Sequence, residues 1–138
     1  MTPHFTLKEL TATSRKFDNT PNEAELSNLQ RLALFLEDVR TLLNASIIIN
    51  SAFRSKEVND AVGSKDSSQH RHGCAADIKV VGITPDEVVR KIVASGLMFD
   101  QVIREFDSWT HISIPNKADG IPRKQALIID KTGTRLFV

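Results

Sequence analysis

Apolar residues recur at steps of three and four in the first third of the chain, with charged residues between them. This spacing predicts a long amphipathic helix that packs one face on the core and ends near Asn44. Thr20-Pro21 with Glu23 predicts its start, because proline suits the first helical position and the other two residues form a capping box. The predicted core positions are Leu26, Leu29, Leu32, Leu36, Val39 and Leu43.

A second helical pattern begins at Thr84-Pro85, has Glu87 as its capping partner and ends at Gly96. Glycine commonly ends a helix because it adopts the left-handed conformation without strain. The residues predicted to face inward are Val88, Val89, Ile92 and Val93. Shorter helices are predicted to open at Thr6 and to span residues 55–62.

Runs of β-branched residues and of alternating apolar residues predict the strands. Ile47-Ile48-Ile49, bounded by polar residues, is typical of a buried strand. The predicted strands span residues 46–51, 74–81, 101–106, 109–114, 126–130 and 134–138. The last two flank the turn Lys131-Thr132-Gly133 and predict a hairpin. The predicted class is therefore α+β, a small antiparallel sheet with N-terminal and crossover helices.

Length and composition fit one domain over residues 1–138, with 41% hydrophobic and 25% charged residues. The 18 Lys and Arg residues nearly cancel the 17 Asp and Glu residues, which disfavours nucleic acid and anionic membranes as partners. Residues 1–10 lack the continuous apolar segment of a signal peptide or membrane anchor. The single cysteine, Cys74, is compatible with a reducing cytoplasm. We expect a monomer that is synthesised in the cytoplasm and reaches an outside target only after release.

Residues 63–73 contain no apolar side chain, which predicts a loop that cannot bury itself, and such loops often carry function. His70 lies in this loop, and Asp77 follows in the next predicted strand, with Gly73 between them. A turn at Gly73 lets the strand present its carboxylate beside the imidazole. With a third ligand from a distant strand, this set is typical of catalytic zinc, which keeps water in its fourth position.

The same segment resembles a known motif. Ser68, His70, Gly73, Ala75 and Asp77 fill every fixed position of Ser-x-His-x-x-Gly-x-Ala-x-Asp, the motif of the D-alanyl-D-alanine carboxypeptidase family of zinc peptidases. Two further segments of that family agree in their order along the chain. They are residues 51–55 with Asn59, and residues 109–113. The resemblance is greatest to the short, phage-associated branch of the family.

This resemblance implies one zinc ion per chain, bound by His70, Asp77 and His111. The strand pattern agrees, because alternation places Trp109, His111 and Ser113 on one face of their strand. The imidazole of His111 is therefore expected to point to the same side as its two neighbours on that face.

The resemblance also implies a carboxylate that acts as the catalytic base. Some family members have a glutamate three residues before the last histidine, where this chain has Ser108. Glu105 matches the glutamate of the related hedgehog-type zinc domains, so we expect it to be the base. Asp107 is the alternative, because a base must lie within hydrogen-bond reach of the proton that it accepts.

Three further residues are candidates for substrate binding. The resemblance implies that Arg54 holds substrate carboxylate or carbonyl oxygens, to which a guanidinium group is well suited. Ser68 is expected to orient the ligand loop, and Trp109 to line the cleft. The motif leaves the position of His72 free, and Cys74 is expected to be a buried, inert thiol.

The activity implied by the resemblance is zinc-dependent hydrolysis of peptidoglycan stem peptides. The bond is either the D-alanyl-D-alanine bond of a carboxypeptidase substrate or the L-alanyl-D-glutamate bond of an endopeptidase substrate, as for a phage lysin. The alternative is a module that keeps zinc for structure and binds a wall component or a protein without cutting it.

Overall fold

The computed structural model describes residues 1–137. Its elements, in chain order, are α1 (Leu7–Leu10), α2 (Glu23–Leu43), β1 (Ile47–Ser51), α3 (Lys56–Ala61), a 3₁₀ helix (Gln69–His72), β2 (Ala75–Val80), α4 (Pro85–Ser95), β3 (Gln101–Glu105), β4 (Trp109–Ser113), β5 (Gln125–Asp130) and β6 (Gly133–Leu136). The predicted α+β class is confirmed. No helix in the described part is both long enough and apolar enough to cross a membrane.

The strands form one sheet in the order β1-β2-β4-β3-β5-β6. All neighbours are antiparallel except β3 and β5, which are parallel. The predicted small antiparallel sheet is confirmed as a mostly antiparallel one, in which β3 and β5 form the one parallel pair among the described strands. The reason is the connection 114–124, which carries the chain from β4 to the far side of β3, so that β5 runs in the same direction as β3. The predicted final hairpin is present as β5 and β6, and its predicted last residue, Val138, lies outside the described residues.

Helix α2 begins two residues later than predicted. Its N-cap is Asn22, whose side chain accepts from the Glu25 backbone N–H while the Glu25 carboxylate accepts from the Asn22 N–H. Thr20 lies two residues before this cap, and its hydroxyl donates to the Asp18 carboxylate. Leu26 was also wrongly placed in the core and is 38% exposed, whereas the other predicted core positions are buried. These are Leu29, Leu32, Leu36, Val39 and Leu43.

Helix α4 has the predicted cap, with the Thr84 side chain accepting from the Glu87 N–H and Gly96 in the left-handed conformation. Val88, Val89 and Ile92 are buried, but Val93 is 47% exposed, because it lies at the edge of the arc that the four predicted positions cover on the helix. The short helix α1 begins at its predicted cap, Thr6, and α3 lies within the predicted span 55–62, with Ser55 as its N-cap.

The hydrophobic core lies between the helices α2 and α4 and one face of the sheet. Ala76, Ile78 and Val80 of β2 and Ile112 of β4 point into it. Since side chains alternate across a strand, the residues between them point to the opposite face. The fold therefore leaves one sheet face free of the helical layer, and the candidate metal ligands of β2 and β4 lie on it.

Candidate metal centre

Two of the predicted ligands come together through strand pairing. Asp77 of β2 and His111 of β4 are directly opposite each other in the antiparallel register. Directly opposed residues have their side chains on the same face at about 5 Å between Cβ atoms. The His111 Nδ1 atom accordingly lies 3.1 Å from the Asp77 Oδ1 atom.

The third predicted ligand, His70, is supplied by the 3₁₀ helix. The Ser68 side chain caps this helix by accepting from the His70 N–H, and Gly73 ends it with a φ of 77°. A Cβ atom on Gly73 would lie 2.8 Å from the Glu25 carbonyl oxygen. Glycine is thus required here both by conformation and by space, and the turn that it permits leads directly into β2.

The prediction that residues 63–73 form an unburied loop was wrong at its end. His70 is 4% exposed, because its polar surroundings provide hydrogen-bond partners that replace water. Its Nδ1–H donates to the Ala52 carbonyl oxygen at 2.7 Å. The start of the loop is also fixed by a buried residue, because the Asn59 side chain donates to the carbonyl oxygens of Ser64 and Lys65.

The geometry of these side chains fits a zinc ion. One ligand atom from each of His70, Asp77 and His111 lies within 4.8 Å of the others. Because Nδ1 of His70 donates to Ala52, its Nε2 carries the free lone pair, and this atom lies 3.3 Å from Asp77 Oδ1. Such a hydrogen bond to the second ring nitrogen is how proteins orient metal-binding histidines. Two imidazoles and one carboxylate are a common ligand set of catalytic zinc, which leaves one coordination position open.

The electrostatics of the cluster favour the protonation states that bind metal. Burial alone would raise the pKa of Asp77, but the neighbouring His111 and His70 rings outweigh this effect and hold the pKa well below its usual range. Burial lowers the pKa of His70, against the opposing effect of Asp77. Asp77 is therefore an anion and His70 a neutral imidazole at pH 7, as metal ligands must be.

Arg54 lies beside the cluster, where β1 has ended. Its Nη2 atom donates to Asp77 Oδ2 at 3.4 Å, and its Nε atom donates to the Ser51 hydroxyl at 3.2 Å. The backbone N–H of Arg54 also donates to the carbonyl oxygen of His70 at 3.0 Å. The structure thus brings this predicted residue to the ligands, with its guanidinium group partly buried.

The structure distinguishes the two candidate bases by position. Ile103 is opposite His111 and Glu105 is opposite Trp109, so Glu105 is a diagonal neighbour of His111 on the same face of the sheet. Diagonal neighbours are about 7–8 Å apart, which a long side chain can bridge. Burial raises the pKa of Glu105, and the charge of Asp77 raises it further.

Asp107 has a different environment. Its side chain is 74% exposed and pairs with Arg104, whose Nε atom lies 3.1 Å away. Arg104 also donates to Asp86 on α4, which places its side chain on the helical side of the sheet. Asp107 is therefore directed away from the cluster, while Glu105 lies on its face.

The other predicted residues occupy less direct positions. Trp109 is the cross-strand partner of Glu105, and its ring packs on Phe106 at 5.7 Å between centroids. The Trp109 indole N–H is buried and has no hydrogen-bond partner among the described residues. His72 lies outside the ligand cluster. Cys74 is fully buried, and burial raises the pKa of its thiol, as expected for an inert cysteine.

Sequence reasoning missed a polar network behind the 3₁₀ helix. The Gln69 amide donates to the carboxylate of Asp100 at 3.0 Å and to the carbonyl oxygen of Ile114 at 2.9 Å. Asp100 is 4% exposed and also accepts from Arg123, at 2.7 Å for Nη2. The network ties the residue before His70 to the connection 114–124. No local pattern marks these residues, because the partners are distant in sequence.

Comparison with known proteins places these observations in a family. The family model described as Peptidase M15 matches residues 3–113, which include the three clustered ligands, Arg54 and Glu105. The matched part ends with β4, so β5 and β6 lie beyond it. No curated protein matches the chain significantly. With a match over most of its length, the chain belongs to the peptidase M15 family of zinc-dependent, D-alanyl-D-alanine carboxypeptidase-type metallopeptidases.

Proposed function

We propose that this protein is a zinc peptidase that hydrolyses peptide bonds in the stem peptides of peptidoglycan. The observation that carries the proposal is the convergence of His70, Asp77 and His111 on one sheet face, with Glu105 on the same face. A zinc site of purely structural type is usually closed by four protein ligands. Three ligands with a neighbouring carboxylate instead favour catalysis over the alternative, a module that only binds.

The proposed mechanism distributes three tasks among the side chains. Bound zinc would polarise the substrate carbonyl group and lower the pKa of a water molecule. Glu105 accepts a proton from the attacking water and transfers it to the leaving amine, a role that its raised pKa suits. Arg54 donates to the oxygen on which negative charge develops.

Glu105 and Arg54 must be held in fixed positions for this mechanism, because general-base catalysis depends on hydrogen-bond distance. The backbone bond from Arg54 to His70 and the pairing of β3 with β4 hold the two polar side chains relative to the ligands. Both residues are partly buried, so their charges act with less screening than on an open surface.

The substrate part of the proposal rests on the motif resemblance and on the family. The family type supports a peptide substrate with D-alanine near its end. We propose further that the protein acts as a wall-degrading lysin after release from the cell in which it is made. A peptidoglycan target lies outside the cytoplasm, so release is required by that role.

Digestion of purified sacculi tests this function. The zinc-loaded protein is expected to release stem-peptide fragments or free alanine, detected by mass spectrometry, and to release nothing after chelation. Glycan strands are expected to stay intact. New reducing sugar ends without peptide cleavage would contradict a peptidase, and zinc-loaded protein that binds sacculi but releases no peptide would favour the binding module.

A further inference from the structure

A cleft of about 210 Å³ opens next to the metal cluster, between the N-terminal loop and the end of β1. Thr13, Ser14 and Arg15 line it from the loop, and Ser51 and Arg54 line it from the other side. Arg54 is shared by the cleft and the cluster, because its Nη2 atom also contacts Asp77. A ligand in this cleft would therefore adjoin a peptide bound at the metal.

The charged side chains that line the cleft are all cationic. Two guanidinium groups, those of Arg15 and Arg54, line it, and no carboxylate side chain does. Arg15 is exposed and forms no ion pair with any residue of the described range. The nearest acidic residue in the loop, Asp18, accepts instead from the backbone and hydroxyl of Thr20. Arg15 thus keeps its charge available for a ligand.

The two walls are held together by hydrogen bonds through Asn19. Its amide group donates to the carbonyl oxygens of Thr11 and Phe53, at 2.9 and 3.0 Å, and its oxygen accepts from the Ser55 N–H at 2.7 Å. The Ser55 hydroxyl also donates to the backbone oxygen of Asp18. The loop that carries Arg15 is thereby fixed to the segment that carries Arg54, so the cleft is formed before a ligand binds.

Part of the cleft lining is apolar, with Phe53, Val58 and Val62 among its residues. Its volume is below the ~300–1,000 Å³ of pockets for drug-sized ligands, which suits one or two small residues of a peptide. Guanidinium groups pair well with carboxylates through charged hydrogen bonds. Two guanidinium groups beside apolar side chains therefore match a small aliphatic residue that carries a free carboxylate.

We infer that this cleft is a subsite for a free carboxylate of the peptide substrate, with Arg15 as its specificity-determining residue. The inference rests on the proposed function and deepens it. Arg15 binds the carboxylate beside Arg54, and the apolar part of the lining contacts the adjoining small side chain. Arg15 belongs to the N-terminal loop, so this loop selects substrates by their charge.

Direct binding tests the subsite without turnover. The zinc-loaded, ¹⁵N-labelled protein is titrated with N-acetyl-D-alanine and with its uncharged carboxamide, and the amide signals of Thr13 and Ser14 are followed by NMR. Loss of a charged hydrogen bond lowers affinity by roughly 10- to 100-fold. Arg15→Gln is expected to lower the affinity for N-acetyl-D-alanine by such a factor, as measured at these signals. The affinity for the carboxamide, which is expected to bind more weakly to the wild type, should not change. The matched control, Lys16→Gln, removes an exposed neighbouring charge that does not line the cleft.

The outcomes separate this inference from the proposed function. Equal binding of acid and carboxamide, an unchanged affinity in Arg15→Gln, or an equal loss in Lys16→Gln would overturn the subsite, even for an active peptidase. In active protein, Arg15→Gln is expected to raise KM for peptides with a free carboxylate and to leave kcat nearly unchanged. If no wall peptide is cut but acid binding still depends on Arg15, the proposed function fails and the subsite stands.

Discussion

Substitution of Gly73 by alanine is expected to destabilise the fold and the metal centre together. Gly73 has a φ of 77°, and an added Cβ atom would lie 2.8 Å from the Glu25 carbonyl oxygen and 3.1 Å from Leu29 Cγ. The first contact is with helix backbone, which cannot move without shifting α2. Left-handed backbone costs an alanine about 1–2 kcal/mol, and overpacking typically costs about 1–3 kcal/mol more. The expected loss in the free energy of unfolding is therefore about 2–5 kcal/mol.

Gly63→Ala is the matched control for this prediction. Gly63 has the same φ of 77°, but its added Cβ atom would meet nothing within 4 Å. It should therefore show only the conformational cost of about 1–2 kcal/mol. The difference between the two variants isolates the contact with α2.

Urea unfolding of metal-free protein, with equal m-values as a check on two-state behaviour, measures both losses. Zinc affinity is measured alongside by competition with a chelator. It should fall in Gly73→Ala, because the turn between His70 and Asp77 shifts, and stay unchanged in Gly63→Ala. Equal stability of the two variants would refute the argument that glycine is required here by space.

Three further variants test separate parts of the centre. Asp77→Ala should lose tight zinc binding, measured by metal analysis after dialysis, and full metal content would argue against Asp77 as a ligand. Glu105→Gln should keep zinc but lose about 10²- to 10⁴-fold in turnover, while Asp107→Asn should stay near wild type; the reverse result would reassign the base. Asp100→Ala should lower the free energy of unfolding by about 2 kcal/mol, because it removes charged hydrogen bonds from Arg123. Burial would raise the pKa of Asp100, but its bonds to Arg123 lower it, so this contribution is present at neutral pH and should fade in wild type as acid protonates the carboxylate. A loss in the variant that is as large in acid as at pH 7 would contradict this.

Local signals account for what the sequence predicted. The alternation in β4 correctly placed His111 on the face of Trp109, and the predicted caps at Thr6 and Thr84 open their helices. These predictions depend on residues within a few positions of one another. The turn at Gly73 was likewise predictable from nearby residues, because it joins the 3₁₀ helix to β2 over a short segment.

Features that depend on distant contacts could not be predicted. The parallel pairing of β3 with β5 follows from the path of residues 114–124, which has no periodic pattern. Asn19 reaches Phe53 and Ser55, and Gln69 reaches Asp100, through hydrogen bonds between side chains that the sequence gives no reason to pair. Such polar contacts are specified by the folded surroundings of each group rather than by its neighbours in the chain.

Zinc titration of the metal-free protein tests the central claim most directly. Chelated protein is given increasing zinc, and the bound metal and the rate of stem-peptide hydrolysis are measured on the same samples. The account predicts no hydrolysis without metal and a rate that rises in proportion to bound zinc and saturates at about one equivalent, as for a single three-ligand site. Full activity in the metal-free protein, or no hydrolysis of any stem peptide at full zinc occupancy, would contradict it.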